Sequence, residues 1–154
     1  MDKWYRVFGV STAEPDPAAL MERLHEAGFP VRGDFHGDDQ GWFRVALTYA
    51  ADAPPLDVQR YLASEEGIRA ELNNWAAWLE TFETNPHHGR LMEHMIATQQ
   101  LFTMPRPLPP APGERVDALC LCLCQFLAQR TEGVYQIDDQ GFFTADGTLL
   151  VAEE

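Results

Sequence analysis

The hydrophobic and polar positions change period several times along the chain, and each change marks an element. Residues 4–10 are rich in aromatic and β-branched side chains, which predicts a first strand. Asp16 followed by Pro17 is an N-cap with proline at the first helical position. Leu20, Met21, Leu24 and Ala27 then recur at helical spacing. Gly28 stands where a C-terminal cap belongs and Pro30 follows, so a helix is expected over 17–27. Period two takes over in 31–36 and 42–49, where Phe43, Val45, Leu47 and Tyr49 alternate with Trp42, Arg44, Ala46 and Thr48. The intervening GDDQG, residues 37–41, is an acidic turn, so these two segments are expected to pair as a hairpin.

Residues 51–55 read as a loop, and a short helix is expected over 58–63 with Asp57 as its cap. Ser64 caps a longer predicted helix over 65–82, with Glu65 and Glu66 near its positive end. Ile68, Leu72, Trp75, Leu79 and Phe82 fall at spacings of four, three, four and three, which gives that helix one buried stripe. NPHHG, residues 85–89, is a turn, and 91–104 reads as a long strand because MIATQQLFTM is β-rich and flanked by breakers. PRPLPPAPG, residues 105–113, predicts an extended connection. A helix over 114–130 closed by Gly133, a strand over 134–137, a turn, an aromatic pair, a turn at residues 145–147 and a strand over 149–151 complete the reading.

DDQGWF at 38–43 recurs as DDQGFF at 138–143. Both copies follow a strand, a helix, a glycine and a strand, so the pattern predicts two βαββ halves, about 1–56 and 91–154. A helical segment over about 57–82 joins them in a single domain spanning 1–154. The first six predicted elements also follow the ferredoxin-like order β-α-β-β-α-β. The expected class is α+β, a mainly antiparallel sheet with helices covering one face.

Charge narrows the function classes. The chain carries 24 acidic residues against 11 basic ones, a net charge of −13, and Lys3 is its one lysine. Such a surface repels phosphate backbones and anionic lipid, so neither nucleic acid nor membrane is expected as a partner. It suits a basic protein, although solubility is the plainer consequence. No apolar run approaches the roughly 20 residues that span a bilayer. The N-terminus MDKWYRVFGV lacks the apolar core of a signal peptide. Three cysteines in five positions make no disulfide framework, and a cytoplasmic location is expected. The bias toward arginine over lysine, with many Ala and Pro, fits a bacterial, GC-rich source.

Few residues advertise chemistry. Cys120, Cys122 and Cys124 would share one face of a strand and could there hold a soft metal. They sit inside the 114–130 helix pattern, however, and lack a second cysteine pair, so they are read as core residues and no metal is expected. Asp38 and Asp39, and Asp138, Asp139 and Asp146, cluster in turns without the spacing of a calcium loop. His87 and His88 read as surface histidines in a polar turn; His25, His36 and His94 lie apart from them. No GxSxG, HExxH, Walker A, GxGxxG or CxxC motif is present. Gln99 and Gln100 interrupt an apolar run, so one amide needs buried partners if that strand is central. RPLPPAP, residues 106–112, resembles the class I SH3-ligand pattern, which implies a proline-rich docking peptide; its place between two elements argues for a stiff linker.

These features predict a non-enzymatic acidic binding protein that engages a protein partner, with an inhibitor or immunity protein as one form, and they call for no cofactor. The alternative is a small-ligand binder or enzyme with a pocket between the halves, walled by Trp75, Trp78, Gln100, Tyr135 and Phe143. A homodimer paired through an edge strand is a third arrangement.

Overall fold

The computed structural model describes residues 3–106 and 113–153. Its elements are β1 (Trp4–Gly9), α1 (Pro17–Glu26), β2 (Arg32–Asp38), β3 (Gly41–Thr48), β4 (Leu56–Leu62), α2 (Ile68–Glu80), α3 (His88–Ala97), β5 (Gln100–Pro105), α4 (Gly113–Arg130), β6 (Val134–Ile137), β7 (Gly141–Thr144) and β8 (Leu149–Ala152). Among the described residues the strands form one eight-stranded sheet in the order β2-β3-β4-β5-β1-β6-β7-β8. Every neighbouring pair is antiparallel. The class is therefore α+β. The first helix starts as its sequence dictates: the Asp16 carboxylate accepts from the Ala19 N–H at 3.2 Å, and Pro17 occupies the first turn.

β1 and β5 lie side by side at the middle of the sheet. The chain leaves β1 through α1 and reaches β2 at the far edge, beyond β5. It leaves β5 through α4 and reaches β6, on the other side of β1. Each DDQG turn joins two antiparallel neighbours, β2 to β3 and β6 to β7. Gly41 and Gly141, with φ of +102° and +131°, supply the left-handed backbone these turns require.

Helices cover both faces of the sheet, where one covered face was expected. Tyr5 and Val7 of β1 pack with Leu20, Leu24, Leu119, Cys120 and Leu123 of α1 and α4. Phe8 points the other way and packs with Leu72, Leu79, Leu91 and Met95 of α2 and α3. The cause is legible in β1 and β5, whose adjacent positions Val7–Phe8 and Leu101–Phe102 are apolar on both faces.

Three segments depart from the expected reading. Of the residues expected as a short helix over 58–63, all but Ala63 belong to β4, where Leu56, Val58 and Arg60 point inward at period two. A buried arginine in the third inward position disguised the alternation. The connection between the two halves is therefore not helical throughout 57–82; α2 starts at Ile68, after a left-handed Gly67, and Ser64 does not cap it. Residues expected as one strand over 91–104 divide into α3 and β5: Leu91 and Met95 bury one turn apart, and Thr98, extended, ends the helix. The first six elements thus run β-α-β-β-β-α rather than in the ferredoxin-like order, and a further strand, β4 or β8, follows each DDQG hairpin. The proline-rich 107–112 lie outside the described residues. No helix among the described residues is long and apolar enough to cross a membrane.

Candidate functional site

Two surface depressions gather polar and aromatic side chains. The first lies beside α2. Leu72, Ala76 and Leu79 of this helix face the core, which leaves Trp75 and Trp78 half-buried on its flank. The rings meet edge to face, 5.7 Å apart, and each also packs on Phe142. Glu71, one turn before Trp75, accepts from its indole N–H at 3.2 Å. Glu153, just beyond β8, closes the opposite side. Together Glu71, Asn74, Trp75, Trp78 and Glu153 line a hollow of about 290 Å³. Trp78 and Glu153 also border a second hollow of about 570 Å³ running toward Phe82 and Asn85.

A polar network backs this groove. Gln136 is fully buried; its carbonyl accepts from Arg6 Nη1 at 2.8 Å, and its amide donates to Asp138 Oδ1 and Glu153 Oε2, both at 3.0 Å. Arg6 also donates to Asp138 Oδ1 at 2.7 Å, and its guanidinium lies 5.0 Å from the Trp75 ring centre. Burial pushes the Asp138 carboxyl up. Hydrogen bonds from Gln136, Arg6 and the Trp4 N–H together outweigh that and hold it below its ordinary value. Glu153 moves the other way: burial and the nearby Asp138 and Asp139 raise it, against its bond from Gln136. The rim beside the tryptophans is therefore acidic, and Arg6, which lies over the Trp75 ring, is already paired with Asp138.

The second depression is a cleft of about 400 Å³ between the β2–β3 turn and the end of β4, lined among others by Asp38, Trp42, Phe43, Arg60, Tyr61 and Glu65. Arg60 forms its floor and is only 4% exposed. Its Nε donates to Gln100 Oε1 at 2.7 Å, and its Nη1 to the Trp42 and Gln40 carbonyls at 2.8 and 3.2 Å. Gln100, fully buried, donates in turn to the Ser11 and Ala13 carbonyls at 2.6 and 2.8 Å. Desolvation pulls the Arg60 pKa down, while Glu14, Asp38 and Glu65 oppose it. A β-bulge shapes the opposite wall. Gly37 pairs with Trp42 but His36 pairs with Arg44, so Phe43 is the extra residue. The bulge turns Trp42 to the same side as Val45 and Leu47 and leaves Phe43 45% exposed, so the expected alternation holds from Arg44 to Thr48 and is exchanged only at Trp42 and Phe43.

The residues anticipated as one pocket are distributed over both faces. Trp75 and Trp78 come together on the α2 side. Gln100 lies under Arg60 on the opposite face, where Tyr135 and Phe143 stack with ring centres 5.1 Å apart. The sheet separates the two groups, so no single pocket unites them. Asp38 and Asp39 are exposed on the β2–β3 turn; Asp138 is tied into the Arg6 network, and Asp139 is exposed beside it with φ +70°. Cys120 and Cys124 are buried in the α1–α4 core, with Cys122 half-buried. Among the described residues no three His, Cys, Asp or Glu side chains converge as metal ligands would. His88 opens α3 and does not sit in a free turn; its Nδ1 lies 2.9 Å from the Asn85 carbonyl. Arg6, Arg60, Gln136 and Glu153 carry the polar chemistry of both depressions and went unmarked in the sequence. For the first three the available signal was a charged or amide residue within a period-two strand; Glu153, beyond β8, offered none.

Compared with known proteins, the chain matches no family model, no curated protein and no solved structure.

Proposed function

We propose that this chain is a non-enzymatic, cytoplasmic acidic binding module that engages a basic protein partner, seating one of its Arg or Lys side chains in the Trp75–Trp78 groove. The observation that carries this reading is the pair of half-buried indoles held between Glu71 and Glu153. An indole face attracts a cation with about 0.5–2 kcal/mol, depending on how far the pair is desolvated. Carboxylates on either side add charge complementarity, and the net charge of −13 steers a basic partner toward the surface. An inhibitor or immunity role is one form such a module takes, because occupying a partner's basic site needs no catalytic group.

The test is to isolate the partner from the protein's own cells by native mass spectrometry and to titrate the purified pair. Affinity is expected to fall as salt rises, since exposed charge is screened. Trp78→Ala and the surface change Glu71→Gln are each expected to weaken the pair several-fold. An association indifferent to salt and to both substitutions overturns the reading.

A further inference from the structure

The cleft over Arg60 is separate from the tryptophan groove and has different chemistry. A guanidinium has five N–H groups, and Arg60 commits three of them, the Nε–H to Gln100 and both Nη1–H to backbone carbonyls. Nη2 donates to none of the described groups, while Arg60 itself lines the cleft. No carboxylate forms an ion pair with this buried cation among the described residues. A desolvated charge held rigidly by one amide and two carbonyls, with a donor nitrogen left over, is organised to receive an acceptor.

The rim decides which acceptor. Asp38 and Glu65 line the same cleft. Their negative field disfavours a multiply charged anion such as phosphate. The Asp38 Oδ1 accepts from the Gln40 N–H at 2.8 Å, and Glu65 Oε2 accepts from the Leu62 N–H, so each carboxylate is fixed in place, and its other oxygen accepts no bond among the described residues. A ligand with one anionic and one cationic end satisfies both parts. The exposed Phe43 ring and Tyr61 add apolar wall. The volume, about 400 Å³, lies in the range of small-molecule sites.

We propose that this cleft binds a free α-amino acid with an apolar side chain, its carboxylate on Arg60 Nη2 and its ammonium between Asp38 and Glu65. The module would then answer to a small metabolite as well as to a protein.

The full chain is titrated by calorimetry with L-phenylalanine and L-leucine, each alongside its N-acetyl and its carboxamide derivative, and with inorganic phosphate. At least one free amino acid is expected to bind with one-to-one stoichiometry. Its N-acetyl and amide forms are each expected to bind at least about tenfold more weakly, since each loses one charge-assisted contact. Glu65→Gln is expected to weaken the free amino acid similarly while leaving the residual binding of the N-acetyl form, which has no ammonium, unchanged. Arg60→Lys retains the charge but not the fork; because Arg60 also holds the β2–β3 turn, its loss of binding counts only if its unfolding midpoint stays near that of the parent. Asp39→Asn, outside the cleft, serves as the control and should bind normally. Failure of both amino acids to bind in the millimolar range overturns the proposal. So does equal binding of the three forms of either one, or a preference for phosphate. None of these outcomes bears on the Trp78 groove, whose test uses a different substitution and a protein partner.

Discussion

Arg60 and Cys120 occupy similar inward positions and show how burial alone assigns opposite roles. The arginine keeps its charge by satisfying three donors internally and presents the remainder to a cleft. The cysteine has no such outlet: burial, with Asp117 adding to it, pushes its thiol up to about 12. Cys124 is raised for the same first reason. Burial raises Cys122 too, although it is only half-buried and the nearby Arg23 opposes the shift. Since the thiolate is the reactive form, an aromatic disulfide reagent at neutral pH should modify Cys122 first and the other two only as the protein opens. Rapid reaction of all three in the native state would show that α4 does not bury them. The packing of these cysteines could be anticipated from their helical context. The Arg60 cleft could not, because neither the β-bulge that exposes Phe43 nor the turn carbonyls that hold the guanidinium leave a residue-type signature.

At the scale of elements, long periodic stretches were legible and short mixed ones were not. α1, α2 and α4 carry apolar positions at helical spacing over several turns, and the caps at Asp16 and Gly28 mark the ends of the first. α3 has ten residues, as α1 does, but no side-chain cap marks its start, and the β-rich run that follows it reads as continuous with it until Thr98 adopts an extended backbone. Local propensity has little to separate such neighbours; the packing of Leu91 and Met95 against α2 and Phe8 does. Because the sheet is covered on both sides, each layer should carry its own share of stability. Leu72→Ala in α2 and Leu123→Ala in α4 remove fully buried side chains from opposite faces, and each is expected to cost about 2–5 kcal/mol in urea unfolding. Ile96→Ala in α3, at a position 61% exposed, should cost far less. A negligible cost for Leu72→Ala would mean that the α2 layer is not part of the cooperative core.

For the whole molecule the dominant quantity is charge, and it acts on stability as well as on partners. His94 Nε2 donates to the Phe8 carbonyl at 2.8 Å, yet burial outweighs that bond and lowers its pKa from the ordinary 6.5. Asp138 and Asp117 are lowered from 3.8. For Asp117, burial pulls upward and is outweighed by bonds from Arg106 and Tyr5 and the charges of Arg106 and Lys3. In all three the unfolded chain binds the proton more readily than the folded one. Their contribution is therefore complete above the unfolded value and lost as pH falls. Thermal stability should accordingly fall in two stages, first below 6.5 as His94 is called on to protonate and again below 3.8 as the aspartates are. Glu153, raised from 4.5, opposes the trend near that value. His94→Gln should flatten the first stage; an unchanged profile would remove His94 from this account.

By itself the sequence determined the class of the fold, the helices with sustained periodicity, the two DDQG turns and the acidic surface. Each of these follows from local spacing, turn chemistry or composition, which act within a few residues or need no geometry at all. Only the tertiary structure decided the rest: that β1 and β5 pair at the centre, that helices cover both faces, and that Trp75 and Trp78 lie across the sheet from Gln100, Tyr135 and Phe143. It also decided that Arg60, 40 residues before Gln100 in the chain, donates to that amide beneath a cleft. The physical reason is that strand order and the side of the sheet on which a residue falls are settled by contacts between distant segments, and a single bulge or one added strand is enough to redirect them.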